Sequence, residues 1–285
     1  MSDLVRVARP TDIPTMVELL KRDADRRHAC NPSLWPLARD APARIAEALA
    51  AALGEAPQPS RQTWLVAESA GRPVGLAHVL HVPVPPIYLG ADGPPGLVMP
   101  EIALAPDAEA ARAAEPESPP AGPRPAGAAD LPGIVARSAE HREILETLHP
   151  FWRRHPEADP RFEAWMRRSL ALADRDMRVG GAAGALDGYL VAQPASRLHF
   201  PPAHDISGIG VIDDFHHREL ADPETPADGG GGALALLRAG EAAFAARGVD
   251  TAVVVCPAAW RSKLSLLREA GYRTAMVWSI RSDRG

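Results

Sequence analysis

Residues Asp228-Gly229-Gly230-Gly231-Gly232-Ala233-Leu234-Ala235-Leu236-Leu237 form a glycine turn that runs straight into an apolar-periodic helix. No other stretch restricts the fold as strongly. The first turn of a helix leaves its backbone N–H groups without intrahelical partners, and the aligned peptide dipoles make that end positive. Glycines let a ligand approach those groups closely, so the turn suits a phosphate or pyrophosphate. A Walker loop would end in Gly-Lys-Ser/Thr, which is absent. A dinucleotide fingerprint needs a strand leading directly into the glycines, and Pro223 to Ala227 does not read as one. From the turn alone, a flexible glycine linker is the competing reading.

The flanking pattern adds to this. Ile206 to Ile212 reads as a strand, with Ile209 and Val211 on one face and Gly208 and Gly210 on the other. Glycines on one strand face let a ligand approach the backbone. A loop is expected over Asp213 to Ala227. After the turn, Ala233 to Arg247 reads as a helix stopped by Gly248. Thr251 to Cys256 is a β-branched run, expected to be a buried strand. Pro257 opens a helix carrying Trp260, Leu264 and Leu267, and Tyr272 to Ile280 reads as a last strand. Upstream, Ile134 to Arg137 reads as a strand, Glu140 to Trp152 and Arg161 to Ala173 as helices, and Arg178-Val179 and Tyr189-Leu190-Val191 as two weak strands.

This strand–loop–glycine turn–helix–strand–helix–strand series resembles the C-terminal half of the GNAT N-acetyltransferase fold. The family's pyrophosphate loop is Gln/Arg-x-x-Gly-x-Gly/Ala followed by a helix with a Leu-Leu pair. Asp228-Gly229-Gly230-Gly231-Gly232-Ala233 is similar to it at every place but the first, where Asp replaces Gln or Arg. The resemblance covers residues 131–285 fully and 1–108 in part.

The first half reads strand (Leu4 to Ala8), helix (capped by Thr11 or Asp12), helix (Arg39 to Leu53), hairpin (Thr63 to Ser69 and Val74 to Val82) and a short strand (Leu97 to Leu104). Nothing directly after it resembles a second half, and this copy has no glycine turn of its own. Ala105 to Pro132 is rich in Pro, Ala and Glu and reads as a linker. Arg26-Arg27-His28 followed by Pro32 and Leu34 matches Arg153-Arg154-His155 followed by Pro160 and Phe162, which suggests internal duplication. The expectation is an α/β (α+β) protein with a mixed, mostly antiparallel sheet flanked by helices. Residues 1–108 form a partial copy without a CoA loop, 109–130 a linker and 131–285 a complete copy.

By resemblance, Ile209, Gly210 and Val211 bind the pantetheine arm through exposed backbone groups, where their strand splays from its parallel neighbour. Asp228, Gly229, Gly230, Gly231, Gly232, Ala233 and Leu234 take the pyrophosphate of acetyl-CoA, the co-substrate. The acceptor is a small-molecule or N-terminal amine. The family needs a base for the amine and an acid, often Tyr, for the thiolate. Candidate bases cluster at the strand exit: Asp213, Asp214 and His216, with His204, Asp205 and His217 nearby in sequence. The bland reading of these residues is a solvated polar loop. Adjacent His216-His217 point apart on a strand or helix, so no metal site is assigned. Counting back from Gly271-Tyr272, the family's tyrosine place holds Leu267, and Trp260, Lys263 and Leu266 hold the other motif places.

The net charge of -5, with no long basic run, argues against nucleic acid as a partner. No apolar run reaches the roughly 20 residues of a membrane span, and only Cys30 and Cys256 are present, so a cytoplasmic protein is expected. Acyl-CoA-dependent N-acyl transfer leads. A GNAT-like protein that holds acyl-CoA without turnover, or a purely structural one, stays open, because Asp228 is electrostatically unfavourable beside a pyrophosphate and Leu267 cannot act as an acid.

Overall fold

The computed structural model describes residues 4–55, 57, 61–81, 84–89, 102–106, 122–198, 200–225 and 231–277. The chain divides into two units. The first comprises Met1–Pro83, Gly96–Val98 and Ala195–Ser207, and the second Val84–Pro95, Met99–Pro194 and Gly208–Gly285.

The first unit runs β1 (Leu4–Val7), α1 (Ile13–Cys30), α2 (Ala41–Leu53), β2 (Arg61–Ser69) and β3 (Arg72–His81). The strands form an antiparallel sheet in the order β1-β2-β3. Pro14 lies in the first turn of α1 and Arg27 and His28 in its last, each where the helix dipole and the missing proline N–H favour it. Met16, Ala24, Ile45, Leu49 and Val66 make the buried core. The hairpin turns at Ala70 and Gly71, both at positive φ (54° and 74°), as a two-residue turn matched to strand twist requires. A later piece of chain joins this unit: Ala38 N–H donates to Ala203 O (2.9 Å) and Asp205 N–H to Pro36 O (2.8 Å).

The second unit holds β4 (Ile102–Pro106), β5 (Arg124–Pro125), α3 (Leu131–Leu148), α4 (Ala158–Ser169), β6 (Asp176–Ala182), β7 (Ala185–Pro194), β8 (Ile209–His217), α5 (Gly231–Ala246), β9 (Thr251–Cys256), α6 (Arg261–Glu269) and β10 (Tyr272–Val277). Its seven described strands lie in the order β10-β4-β9-β8-β7-β6-β5. Every neighbouring pair is antiparallel except β8 with β9. All six residues of β9 are buried, as its valine run predicts. Helix α5 lies close on the sheet because Gly240 has no side chain: a Cβ there would stand 2.7 Å from Leu190 Cδ2.

The structure corrects the sequence reading at four places. Ile134 to Arg137 is not a strand. It lies inside α3, where Leu131, Ile134, Ser138, His141, Arg142 and Leu145 are buried at helical spacing. The β-branched pair Ile134-Val135 suggested extension, but the period over the longer window decides. The strand expected over Leu97 to Leu104 does not complete the first copy. Its described part, β4, lies between β9 and β10, with Ile102 opposite Cys256 and Val277. Within the expected linker 109–130, Arg124–Pro125 pairs with β6 and Ala128–Asp130 forms a 3-10 turn. Finally, β8 does not end at Ile212 but runs on to His217.

Duplication is visible in the architecture, though not at the residues the sequence match used. Each unit carries, ahead of its first long helix, an Arg-to-Asp clasp six residues apart. Arg6 donates to Asp12 (2.7 and 2.9 Å), and Arg124 donates to Asp130 (2.7 and 2.6 Å). The same aspartate then accepts from a backbone N–H, Arg9 in one copy (2.7 Å) and Gly127 in the other (2.9 Å). The guanidinium hydrogen bond is the largest cause holding each carboxyl below its usual range. An 18-residue helix follows in each. Arg26 to His28 ends a helix, whereas Arg153 to His155 lies beyond one, so that pairing is not structural.

Candidate active site

The site is built on β8. Its register with β7 shifts between Val191 and Ala192: Ala192 faces Ile212 and Val191 faces Asp214, which leaves Asp213 as the extra residue of a bulge. A bulge inverts the alternation of side chains beyond it. Before it, Gly210 and Ile212 face α5; a Cβ on Gly210 would lie 2.4 Å from the Phe244 ring. Beyond it, Phe215 is opposite Leu190, the residue against Gly240 of α5, so Phe215 takes the α5 side. Asp214 and His216 are thereby turned to the other side, toward α3. Pairing of β8 with β9 covers Ile209 to Ile212 and stops there. The strands part at the bulge.

The residues expected to hold pantetheine lie before this parting. Ile209, Gly210 and Val211 are laddered to Thr251, Ala252 and Val253 on one side and, at Val211 and Gly210, to Gln193 and Pro194 on the other. Their backbone does not lie along the opening. Gly210 is glycine to admit Phe244, not a ligand. The backbone at the parting begins with Asp213.

On the α3 side, Tyr189 OH donates to Asp214 Oδ1 (2.5 Å), and His141 Nδ1 lies 3.3 Å from the same oxygen. His141 stacks on His216 with centroids 5.3 Å apart and planes within 6°. Trp260 lies 5.2 Å from His141 and 6.2 Å from His216. His216 is fully buried, and among the described residues neither ring nitrogen has a hydrogen-bond partner. Burial is the main cause of each shift here. It pushes the His141 pKa down to about 4, helped by the Lys263 charge and opposed by Asp214. It holds His216 well below the usual histidine range, with His141 and Lys263 adding to it. It raises the Tyr189 hydroxyl, with Asp214 second. Both imidazoles are neutral at pH 7.

Asp213 differs. It is half-buried, its Oδ2 accepts from Gln193 Nε2 (2.6 Å), and its pKa is pushed up to about 7, by burial first and by the Asp214 charge second. A carboxyl that titrates near neutrality at the point where two strands part is suited to proton abstraction.

These shifts have opposite signs for stability. His141 is neutral in the fold and protonated in the unfolded chain below about pH 6.5, so its contribution rises with pH from about 4 to about 6.5, and His216, also lowered, acts with the same sign. Asp213 keeps its proton in the fold while the unfolded chain has lost it, so its contribution falls as pH rises from about 4 to about 7. Asp213→Asn removes only the second effect. The variant is expected to match wild type near pH 4 and to exceed it by about 1–2 kcal/mol at pH 8, after allowance for the side chain's partial exposure. Denaturant melts at the two pH values measure this.

Downstream, the short 3-10 helix Arg218–Leu220 carries Glu219 back to the start of α5. Glu219 Oε2 accepts from Ala233 N–H (2.9 Å) and Oε1 from Gly232 N–H (3.3 Å). A carboxylate therefore caps the N–H groups expected to hold pyrophosphate. A Cβ on Gly232 would strike the His217 ring at 2.7 Å, whereas one on Gly231 would meet nothing within 4 Å. Ala233 is fully buried and Leu234 half-buried against the core. Asp228, Gly229 and Gly230 lie outside the described residues. His204 and Asp205 belong to the first unit, where His204 packs on Trp35 (5.1 Å).

Leu267, at the tyrosine place, is fully buried. Trp260 Nε1 donates to Leu220 O and Ser262 Oγ (both 3.1 Å), fastening α6 to the 3-10 helix. Sequence reasoning missed Tyr189 and His141 as partners of Asp214, since both come from elements far away in sequence. It also passed over Lys263, although a lone lysine in an otherwise apolar helix face was a usable signal. Among the described residues, no group of three or more His, Cys, Asp or Glu is placed to hold a metal ion, and no helix is long and apolar enough to cross a membrane.

No family model and no curated protein matches the chain. Solved structures do. A GCN5-related N-acetyltransferase from Sphaerobacter thermophilus is 16% identical, with a TM-score of 0.47, over 95% of this chain and 92% of that one. A tandem GNAT protein from the clavulanic acid biosynthesis pathway is 12% identical, with a TM-score of 0.40, over 96% and 95%. An aminoglycoside N-acetyltransferase solved in complex with CoA is 15% identical, with a TM-score of 0.41, over 60% and 99%. On its element order, its one parallel pair and the parting of that pair ahead of α5, the second unit has the mixed sheet of the GNAT fold, preceded by a partial copy of the same plan.

Proposed function

We propose that the protein is an acyl-CoA-dependent N-acyltransferase that uses its second unit, transferring an acetyl group from acetyl-CoA to a small-molecule or N-terminal amine in the cytoplasm. The observation that carries this is the parting of β8 from β9 at Asp213, upstream of the glycine turn and the start of α5. Pantetheine lies along the parted strand from Asp213 onward, and pyrophosphate lies at Gly231, Gly232 and Ala233. Asp213 takes the amine proton. Tyr189 and His141 hold Asp214 in place, and the Asp214 charge keeps Asp213 basic enough to act. Neither Cys30 nor Cys256 is in a disulfide, which suits a reducing compartment.

The test is calorimetric titration of acetyl-CoA into wild type and Gly231→Asp. Position 231 has open space, so the new side chain disturbs the ligand and not the fold. Micromolar binding is expected, weakened about tenfold or more in the variant, equal to at least 1.4 kcal/mol. No binding to wild type at millimolar acetyl-CoA removes the proposal. A second reading, an acyl-CoA-binding protein without turnover, is favoured by the apolar Leu267 and by the Glu219 cap on α5. Tight binding with no thiol release across a broad amine panel selects it.

A further inference from the structure

His217 is the last residue of β8, the strand that leaves β9 after Ile212. Residues two apart on a strand share a face, so His217 joins Phe215 on the α5 side. Two glycines make room for its ring. Gly188 is opposite His217 on β7, and a Cβ there would lie 2.6 Å from His217 Cδ2. Gly232 meets the other end of the ring, where a Cβ would lie 2.7 Å from both Cε1 and Nε2. The imidazole tip therefore stands against the first turn of α5. At the opposite edge, Nδ1 accepts from Glu219 N–H (3.3 Å). A neutral imidazole carries one proton, and this acceptor role puts it on Nε2. Both nitrogens of His216 are sealed from solvent without a partner, but Nε2 of His217 is not sealed, and among the described residues no acceptor takes its proton.

We propose that His217 is a pyrophosphate-binding residue, donating Nε2–H to the anion that the backbone N–H groups at the start of α5 receive. This rests on the acyl-CoA reading above. A helix end offers only partial charge, and a protonated imidazole beside it would offer a whole one. In the free protein, burial is the main cause that lowers the His217 pKa. Arg218 and Arg137 add to it, and Glu219 and Asp187 oppose it. Arg218 and Asp187 pair with each other (3.0 Å), which leaves Glu219 as the charge at the ring, its Oε2 3.4 Å from Nδ1. A phosphate at the Nε2 edge adds negative charge there and favours the protonated ring. The second proton goes to Nδ1, for which Glu219 Oε2 is the nearest acceptor.

The test needs only CoA, not the amine. Histidine-selective isotope labelling and NMR give the titration midpoint of His217 with and without saturating CoA, the signal being assigned by its loss in His217→Gln. CoA is expected to raise the midpoint by about one pH unit or more. Affinity in wild type then rises as pH falls from the bound to the free midpoint. In His217→Asn the amide oxygen can still accept from Glu219 N–H, but the tip is gone, so calorimetric CoA affinity at pH 7 should fall about 10- to 100-fold. In His217→Gln the amide N–H reaches the Nε2 place, so affinity at pH 8 stays within a few-fold of wild type, and the gain at lower pH is smaller than in wild type. A purely structural role would weaken the variants without moving the wild-type midpoint. A wild-type midpoint that ignores saturating CoA overturns the proposal whatever the variants do. So does wild-type affinity in His217→Asn. Failure of wild type to bind CoA at millimolar concentration overturns the acyl-CoA reading itself, a separate outcome.

Discussion

A fragment covering 122–285 is expected to lose cooperative unfolding, although it contains the whole sequence-assigned second copy. The reason is β4. That strand lies between β9 and β10 and is paired along both edges, Leu104 facing Val254 on one side and Thr274 on the other. Without it, the buried Val254, Val255 and Cys256 become an open edge, and β10 has no neighbour among the described strands. An exposed apolar edge pairs with other chains, so the fragment should aggregate or bind hydrophobic dyes. A synthetic peptide of residues 99–108 added in trans should restore a cooperative transition. Removing residues 1–121 also removes the first unit, so the strand must be tested separately in the intact chain. Leu104→Pro deletes a ladder hydrogen bond in a central strand and should cost about 3 kcal/mol or more. A fragment that melts as cooperatively as the full chain, together with a silent Leu104→Pro, would show that β4 does not complete the sheet.

The same strand marks where sequence reasoning stops. Helices α1, α2 and α5, the hairpin at Ala70-Gly71 and the buried run Thr251–Cys256 are set by local period and turn chemistry, and they are legible. The partners of β4 lie about 150 residues downstream, and nothing local in Ile102 to Pro106 specifies them. β8 was readable only to Ile212, because Asp213-Asp214 and His216-His217 have the composition of a solvated loop. They are strand because Gln193, Tyr189 and His141 supply polar partners from β7 and α3. Tertiary context overrode local preference there. The glycines of the turn pointed to α5 as the candidate anion end, but no local signal announced that Glu219 would fold back onto it. The duplication left a legible mark that was passed over: Arg-x-Ala-x-x-x-Asp-Ile/Leu-Pro, at Arg6 to Pro14 and again at Arg124 to Pro132.

Glu219→Ala is expected to raise affinity for acetyl-CoA about 10- to 100-fold while lowering stability by about 1 kcal/mol. Glu219 already occupies the backbone donors that a pyrophosphate would use, 2.9 Å from Ala233 N and 3.3 Å from Gly232 N. A ligand must displace it or share those donors with a like charge. Hydrogen bonds to charged groups are worth about 1.5–3 kcal/mol each, and an incoming anion that meets free donors keeps more of that than one that must first break a bound carboxylate. The helix, however, loses its cap and the charge that complements its dipole. Affinity and melting temperature should therefore move in opposite directions, which general disruption of the site cannot produce. Glu219→Gln keeps an acceptor near Gly232 and Ala233 but drops the charge, so it should fall between wild type and Glu219→Ala. Because Glu219 is about one-third exposed, the charge-dependent part of the gain should shrink as salt is raised. Unchanged affinity in Glu219→Ala would mean that the pyrophosphate does not use the start of α5, and would return the glycine turn to the status of a linker.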